Sequence, residues 1–297
     1  MKKVKNKTST NWKFIIFGTV FAFLWSSAST ATKIGLESAQ PFVIAIVRFL
    51  IGGSIMLFLT HVVLRKRLPQ GREWKQLTIY GLLNISLYLG LYVIAMQNVS
   101  AGLGSLATAV SPVMIAIIAS IFLKYKVGFN SIISMLICFL GVVIVAYPLI
   151  LTGLTTYEGA ILLTLSMLSY SIGTLYYART KWNNLHILTI NGWQTIIGGV
   201  ILSPVLVPTY KSELNNYNFE FWQSVIWLAI PVSIISVLLW LYLLKENPVK
   251  ASYYLFLCPI FGFFIAKVFV NEPISLYTVI GVIMVIIGLY VLNKKKE

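Results

Sequence analysis

Residues 105–122, SLATAVSPVMIAIIASIF, lie over residues 252–269, SYYLFLCPIFGFFIAKVF, at a constant offset of 147. Carried outward without a gap, the alignment covers 92–145 on 239–292, with seven identities in 54 positions. So few identities carry little weight by number; their positions carry more. Pro112 falls on Pro259, Gly141 on Gly288, Ser105 on Ser252, and Ala119 and Phe122 fall on Ala266 and Phe269. A second stretch, RFLIGG from Arg48, lies over QTIIGG from Gln194 at an offset of 146. Two stretches sharing nearly one offset describe a duplicated unit, 1–148 and 149–297. Duplicated membrane units commonly enclose a binding site between the copies.

The chain is 58% hydrophobic and only 10% charged, so it lacks the polar surface of a soluble domain. Apolar runs near the length of a membrane span recur throughout. They predict ten helices, near 13–34, 42–64, 76–97, 99–122, 127–148, 157–178, 185–207, 222–244, 251–269 and 275–293. The expected fold is an all-α polytopic membrane protein. Short connections leave no room for a soluble domain.

A net charge of +15 suggests nucleic acid until the charges are placed. With the N-terminus in the cytoplasm, nineteen of the 23 Lys and Arg residues fall in inside segments. That bias sets membrane orientation, so no nucleic-acid partner is expected; the partners are the lipid bilayer and a small-molecule substrate. Each copy holds five helices, an odd number, so the second copy must enter inverted. Both termini are then cytoplasmic, in a multi-pass protein of the cell membrane. A cleaved signal peptide over the basic start and apolar 14–24 run is the rival reading, but cleavage would break the repeat.

Enzyme chemistry has little to work with. The chain has no Asp, and its two His, His61 and His186, lie near helix ends. Metalloprotease, nucleophile-elbow and phosphate-loop motifs are absent, and neither a metal nor a cofactor is expected. Cys138 and Cys258 fall inside spans and read as small packing residues.

Four cations escape the cytoplasmic set. Lys211 is in an outside loop, while Lys33, Arg48 and Lys267 lie within or at the ends of helices. An Arg or Lys inside a bilayer costs roughly 2.5–3.5 kcal/mol on insertion scales. Snorkelling, with pairing to Glu37 or Glu272, is one account; an outer vestibule attracting a carboxylate is the other, with Arg48 the deepest cation. Glu158 stands at the outer mouth of the sixth helix, where a helix N-terminus favours negative charge.

Polar and aromatic residues form stripes at helical spacing. They are Trp25 and Ser26 on the first helix, Asn84, Tyr88 and Tyr92 on the third, and Ser105, Thr108 and Ser111 on the fourth. Tyr170 and Thr174 lie on the sixth, Ser236 and Trp240 on the eighth, and Ser252 on the ninth. Each alone could be a helix–helix contact; together they predict a wet central cavity. Pro112 and Pro259 are expected to kink matching helices, freeing the carbonyls of Thr108 and Leu255. Ser134 and Gly141 match Gly281 and Gly288, small residues seven apart, which predicts close packing of the fifth helix on the tenth and a monomer.

These residues resemble the EamA-type members of the drug/metabolite transporter superfamily over essentially the full chain. The first-copy run is Trp25-Ser-Ser, Lys33-Ile-Gly, Pro41, Arg48-Phe-Leu, Asn98-Val-Ser-Ala, Ser111-Pro112 and Leu140-Gly141-Val. The second is Asn191-Gly-Trp-Gln194, Gly198-Gly199, Leu244-Lys-Glu-Asn-Pro248, Cys258-Pro259, Asn271-Glu-Pro273 and Ile287-Gly288. The resemblance implies ten helices in two inverted halves around a cavity lined by helices 1, 3, 4, 6, 8 and 9. It also implies outward movement of small metabolites, often amino acids. Two departures stand out: Ser26 where members often have Gly, and Tyr125 where they often have Glu.

The expected function is therefore secondary or facilitative transport by alternating access, the two halves rocking about a midplane cavity. Export of apolar drugs and dyes is the alternative within transport. A polytopic enzyme or sensory protein is the alternative outside it.

Overall fold

The computed structural model describes residues 12–123, 129–246, 251 and 254–293. Ser252, Tyr125 and the chain ends, on which sequence expectations also fall, lie outside the described residues. The described segments are helical. We label them α1 (Trp12–Leu36), α2 (Pro41–Val63), α3 (Arg72–Ala95), α4 (Ala101–Ala109 and Ser111–Leu123) and α5 (Phe129–Leu151). The second copy supplies α6 (Tyr157–Arg179), α7 (Ile187–Thr209), α8 (219–246), α9 (Tyr254–Val270) and α10 (Leu276–Asn293). Among the described residues, seven helices are long and apolar enough to cross a membrane, eight if the bent α4 pair is one span. α9 and α10 are shorter apolar helices. The chain is a multi-pass membrane protein.

Local chemistry sets the helix starts. The side chains of Ser100, Thr156 and Asn218 accept hydrogen bonds from backbone amides in the first turns of α4, α6 and α8, each satisfying a donor that the helix leaves orphaned. Pro41 opens α2, where its missing N–H is not needed.

Among the described residues, three helices contain π segments, at Phe58–Val63, Leu82–Leu87 and Leu228–Ser236. Pro231 explains the last: it removes a donor and crowds the preceding turn, and the wider register absorbs both.

α5 and α10 pack backbone to backbone. The hydroxyl of Ser134 donates to the Gly288 carbonyl, and the Cys138 thiol lies 3.7 Å from the Val285 carbonyl. A Cβ on Gly141 would sit 2.7 Å from the Gly281 carbonyl, and one on Gly281 would sit 2.5 Å from the Gly141 carbonyl. The pairs 134–288, 138–285 and 141–281 run in opposite directions along the chain, so these matching helices are antiparallel. α2 and α7 are antiparallel too, with Phe49 beside Gly199 and Leu57 beside Gly192.

The packing bundles are not the two sequence halves. α1 lies against α8 and α9 of the second copy, whereas α6 lies against α3 and α4 of the first. Each first helix covers the apolar face of the other copy. A rocking of sequence halves, as expected from the duplication alone, would have to break these contacts.

Pro112 accompanies the expected bend, but the carbonyl expected to be freed behind it is not free. α4 bends by 42° between Ala109 and Ser111, and Pro112 stands in the first turn of the second arm, where its absent N–H costs little. The Thr108 carbonyl is not left free, since the Ser111 hydroxyl donates to it at 2.7 Å. Pro259 follows a 3-10 turn at Tyr254–Phe256 and opens the α-helical part of α9.

Candidate functional site

A small cavity forms where α1, α2, α3 and α8 converge. Thr32, Ile44, Ala45, Arg48, Phe49, Leu89, Tyr92, Val93 and Leu228 line it. Its volume, about 10 Å³, is that of roughly one water site. The resemblance implied lining by helices 1, 3, 4, 6, 8 and 9. Here α2 contributes four of the nine lining residues, and α4, α6 and α9 contribute none.

Arg48 is the chemical centre of this cavity. Its Nε and Nη2 donate to the Ser233 hydroxyl at 3.3 and 3.0 Å. The Ser233 hydroxyl donates to the Leu228 carbonyl at 2.8 Å, five residues back within the π segment. That register presents Ser233 to the guanidinium as a neutral acceptor. Arg48 is partly buried and lines the cavity.

Tyr92 joins the cavity to an aromatic cluster. Its ring lies 6.1 Å from that of Tyr88, which lies 4.9 Å from Tyr170 on α6. Trp25 belongs to a second cluster, 6.0 Å from Phe21, which stacks on Trp240 at 4.8 Å. The structure thus gathers Arg48, Tyr88, Tyr92 and Tyr170, and separately Trp25 and Trp240.

Other expected site residues spend their polar groups on packing. Ser26 donates to the Ala22 carbonyl and Ser236 to Val232, both within their own helices, and Thr174 donates to Tyr170 at 2.9 Å. Ser105 is buried and donates to the Cys258 carbonyl at 3.2 Å across the α4–α9 contact. Thr108 donates to Ser105 at 2.7 Å, and the Ser111 hydroxyl lies 3.8 Å from the Met167 sulfur. Asn84 donates to Gln194 at 3.2 Å, linking α3 to α7.

The expected vestibule charges do not form a set. Lys267 is exposed on the same α9 face as Ile260, Phe264 and Val268, an apolar outer stripe. Glu158 is exposed beside Tyr157 and Ile161. Lys33 lies in the field of Glu272 and Glu37, but among the described residues the ion pair is Arg67–Glu73, at 2.7 Å. Glu272 is instead a buried cap. Its carboxylate accepts from the Ala101 and Gly102 amides at 2.5 and 3.0 Å.

Sequence reasoning passed over Thr32 and α2 as a lining helix. Thr32 lies seven residues after Trp25, two helical turns on, so spacing was the available signal. Ser233 was visible as one of several α8 serines, with nothing to single it out.

The EamA-like transporter family model matches residues 12–147 and again 158–294. An uncharacterized transporter of Archaeoglobus fulgidus is 26% identical over 290 residues, covering 96% of this chain and 99% of that protein. The uncharacterized transporter YdfC of Bacillus subtilis is 27% identical over 270 residues, covering 89% of this chain and 86% of that one. A crystal structure superposes with a TM-score of 0.66 at 16% identity, covering 96% of this chain and 99% of its own.

Proposed function

We propose, from the premise that this chain belongs to the EamA-like transporter family, that it carries small carboxylate-bearing metabolites by alternating access. Amino acids and related acids are the class, and the carrier is secondary or facilitative, working outward across the cell membrane. Ten spans in two inverted repeats, 1–148 and 149–297, with both termini cytoplasmic and a monomeric unit, complete the reading.

One observation carries it: a fixed cation, Arg48, faces a cavity between helices of both copies and has a neutral hydroxyl as its protein partner. A cavity of single-water size does not admit a metabolite, so the loaded form needs the mixed bundles to part there. Tyr88, Tyr92 and Tyr170 would then wall the opening, and Asn84 the route toward α7.

The histidines support carriage over chemistry. His61 is held between the Lys66 carbonyl at 2.9 Å and the Trp193 indole N–H at 3.1 Å. His186 caps α7 through the Leu188 amide.

Purified protein in liposomes loaded with a mixed pool of amino acids and their 2-oxo acids tests the reading. Counterflow uptake of a labelled acid, abolished by Arg48→Gln, is expected. Its absence across the pool refutes carriage of this class. Impermeant thiol labelling at residues 150 and 297 tests the topology, which requires them on opposite sides.

A further inference from the structure

We infer that the Arg48 cavity selects net-anionic carboxylates over zwitterionic amino acids. This inference rests on the carrier reading above and narrows its substrate class. It follows from where the chain keeps its negative charge. The sequence contains no Asp. Glu73 is taken by two hydrogen bonds from Arg67, and Glu272 by the Ala101 and Gly102 amides. The other described glutamates are exposed in loops or at helix ends. Nothing among the described residues lining the cavity carries a negative charge. A ligand carboxylate meets a guanidinium fork there, whose planar geometry suits two parallel hydrogen bonds. A ligand ammonium meets no counter-charge and the field of Arg48.

The duplication supplies an internal control for whether packing needs this cation. Arg48 aligns with Gln194, and Ser233 with Ser86, at offsets of 146 and 147. The second pair occupies the matching place in the fold, with Ser86 in the Leu82–Leu87 π segment against α7. There Ser86 donates to the Gly198 carbonyl at 2.7 Å. Gln194 bonds to Asn84 at 3.2 Å and to Asn191 at 2.8 Å. One scaffold thus closes twice, once around a neutral amide and once around a charge. The helix contact does not require the charge, and a cation in a membrane core is costly to keep. Its use is to hold an anion.

The test uses three probes that share a benzyl group: phenylacetate, phenylalanine and phenethylammonium. Binding to the purified full-length protein in phosphatidylcholine nanodiscs is read by tryptophan fluorescence. Phenylacetate is expected to bind at least tenfold more tightly than either other probe. Arg48→Gln, which copies the neutral residue of the other repeat, erases that preference. Arg48→Lys keeps the preference with several-fold weaker binding, because it retains the charge and loses the fork. Equal or tighter binding of phenylalanine or phenethylammonium overturns the inference. So does an anion preference that survives Arg48→Gln in a monodisperse preparation, and so does binding of none of the three. Flux in liposomes separates this from the carrier reading. Anion-selective binding without flux of any probe refutes carriage and leaves the selectivity standing, whereas flux of phenylalanine without phenylacetate refutes the selectivity alone.

Discussion

Glu272 offers the sharpest stability test, because one carboxylate from the second copy closes the start of a helix in the first. It is 8% exposed and accepts from the Ala101 and Gly102 amides at 2.5 and 3.0 Å, two donors that α4 cannot satisfy internally. Hydrogen bonds to a charged group contribute about 1.5–3 kcal/mol each, and the helix N-terminus adds about 0.3–1 kcal/mol for a negative charge. Glu272→Ala removes both bonds and strands two buried amides, so a loss of about 3–5 kcal/mol is expected. Glu272→Gln keeps one acceptor oxygen without the charge, with an expected loss of about 1–2 kcal/mol. Equilibrium unfolding in mixed dodecyl-sulfate micelles, followed by tryptophan fluorescence, measures both. The deficit should hardly change with added salt, since buried pairs are weakly screened. An Ala variant within about 0.5 kcal/mol of wild type, a third of the least net worth of one such bond, refutes the cap. A Gln variant less stable than the Ala variant does so too.

Three further outcomes follow from the packing. Gly141→Val places a Cβ 2.7 Å from the Gly281 carbonyl and should destabilise the α5–α10 pair by about 1–3 kcal/mol, read by the same unfolding assay; an unchanged midpoint removes the claim of backbone contact. Cys138 and Cys258 are fully buried, so a small maleimide should label neither in the folded protein and both in dodecyl sulfate, on a gel-shift assay. Burial and the Lys66 charge hold the His186 imidazole below its ordinary pKa, and its ring accepts from the Leu188 amide. The folded state therefore resists protonation: stability is fully present above the ordinary histidine pKa near 6.5 and declines as pH falls below it. His186→Asn should flatten that decline in thermal melts between pH 7 and 5; an equally steep fall in the variant assigns the dependence elsewhere.

The sequence announced features that depend on a residue and its helical neighbours. Ser134, Gly141, Gly281 and Gly288 read as a close-packing stripe because small residues at that spacing share one face, and the contact is there. Pro112 announces a bend, yet the Thr108 carbonyl expected to be freed is already reached by Ser111, three residues along. Ser26, Thr174 and Ser236 are ambiguous for a related reason. A hydroxyl can bond back to its own helix, and periodicity cannot tell that from facing a cavity. Longer-range relations were hidden. Glu272 reads as a loop glutamate until Asn271 turns left-handed, at φ 54°, next to the α4 start that its carboxylate caps. Leu82–Leu87 holds no proline, so nothing announces its π register. The lining role of α2 depends on which of its faces meets α3 and α8. The repeat still locates what matters in this site. Two copies share a scaffold, so a difference between matched residues is not explained by the fold they share. Arg48 against Gln194 is such a difference, and it falls on the cavity.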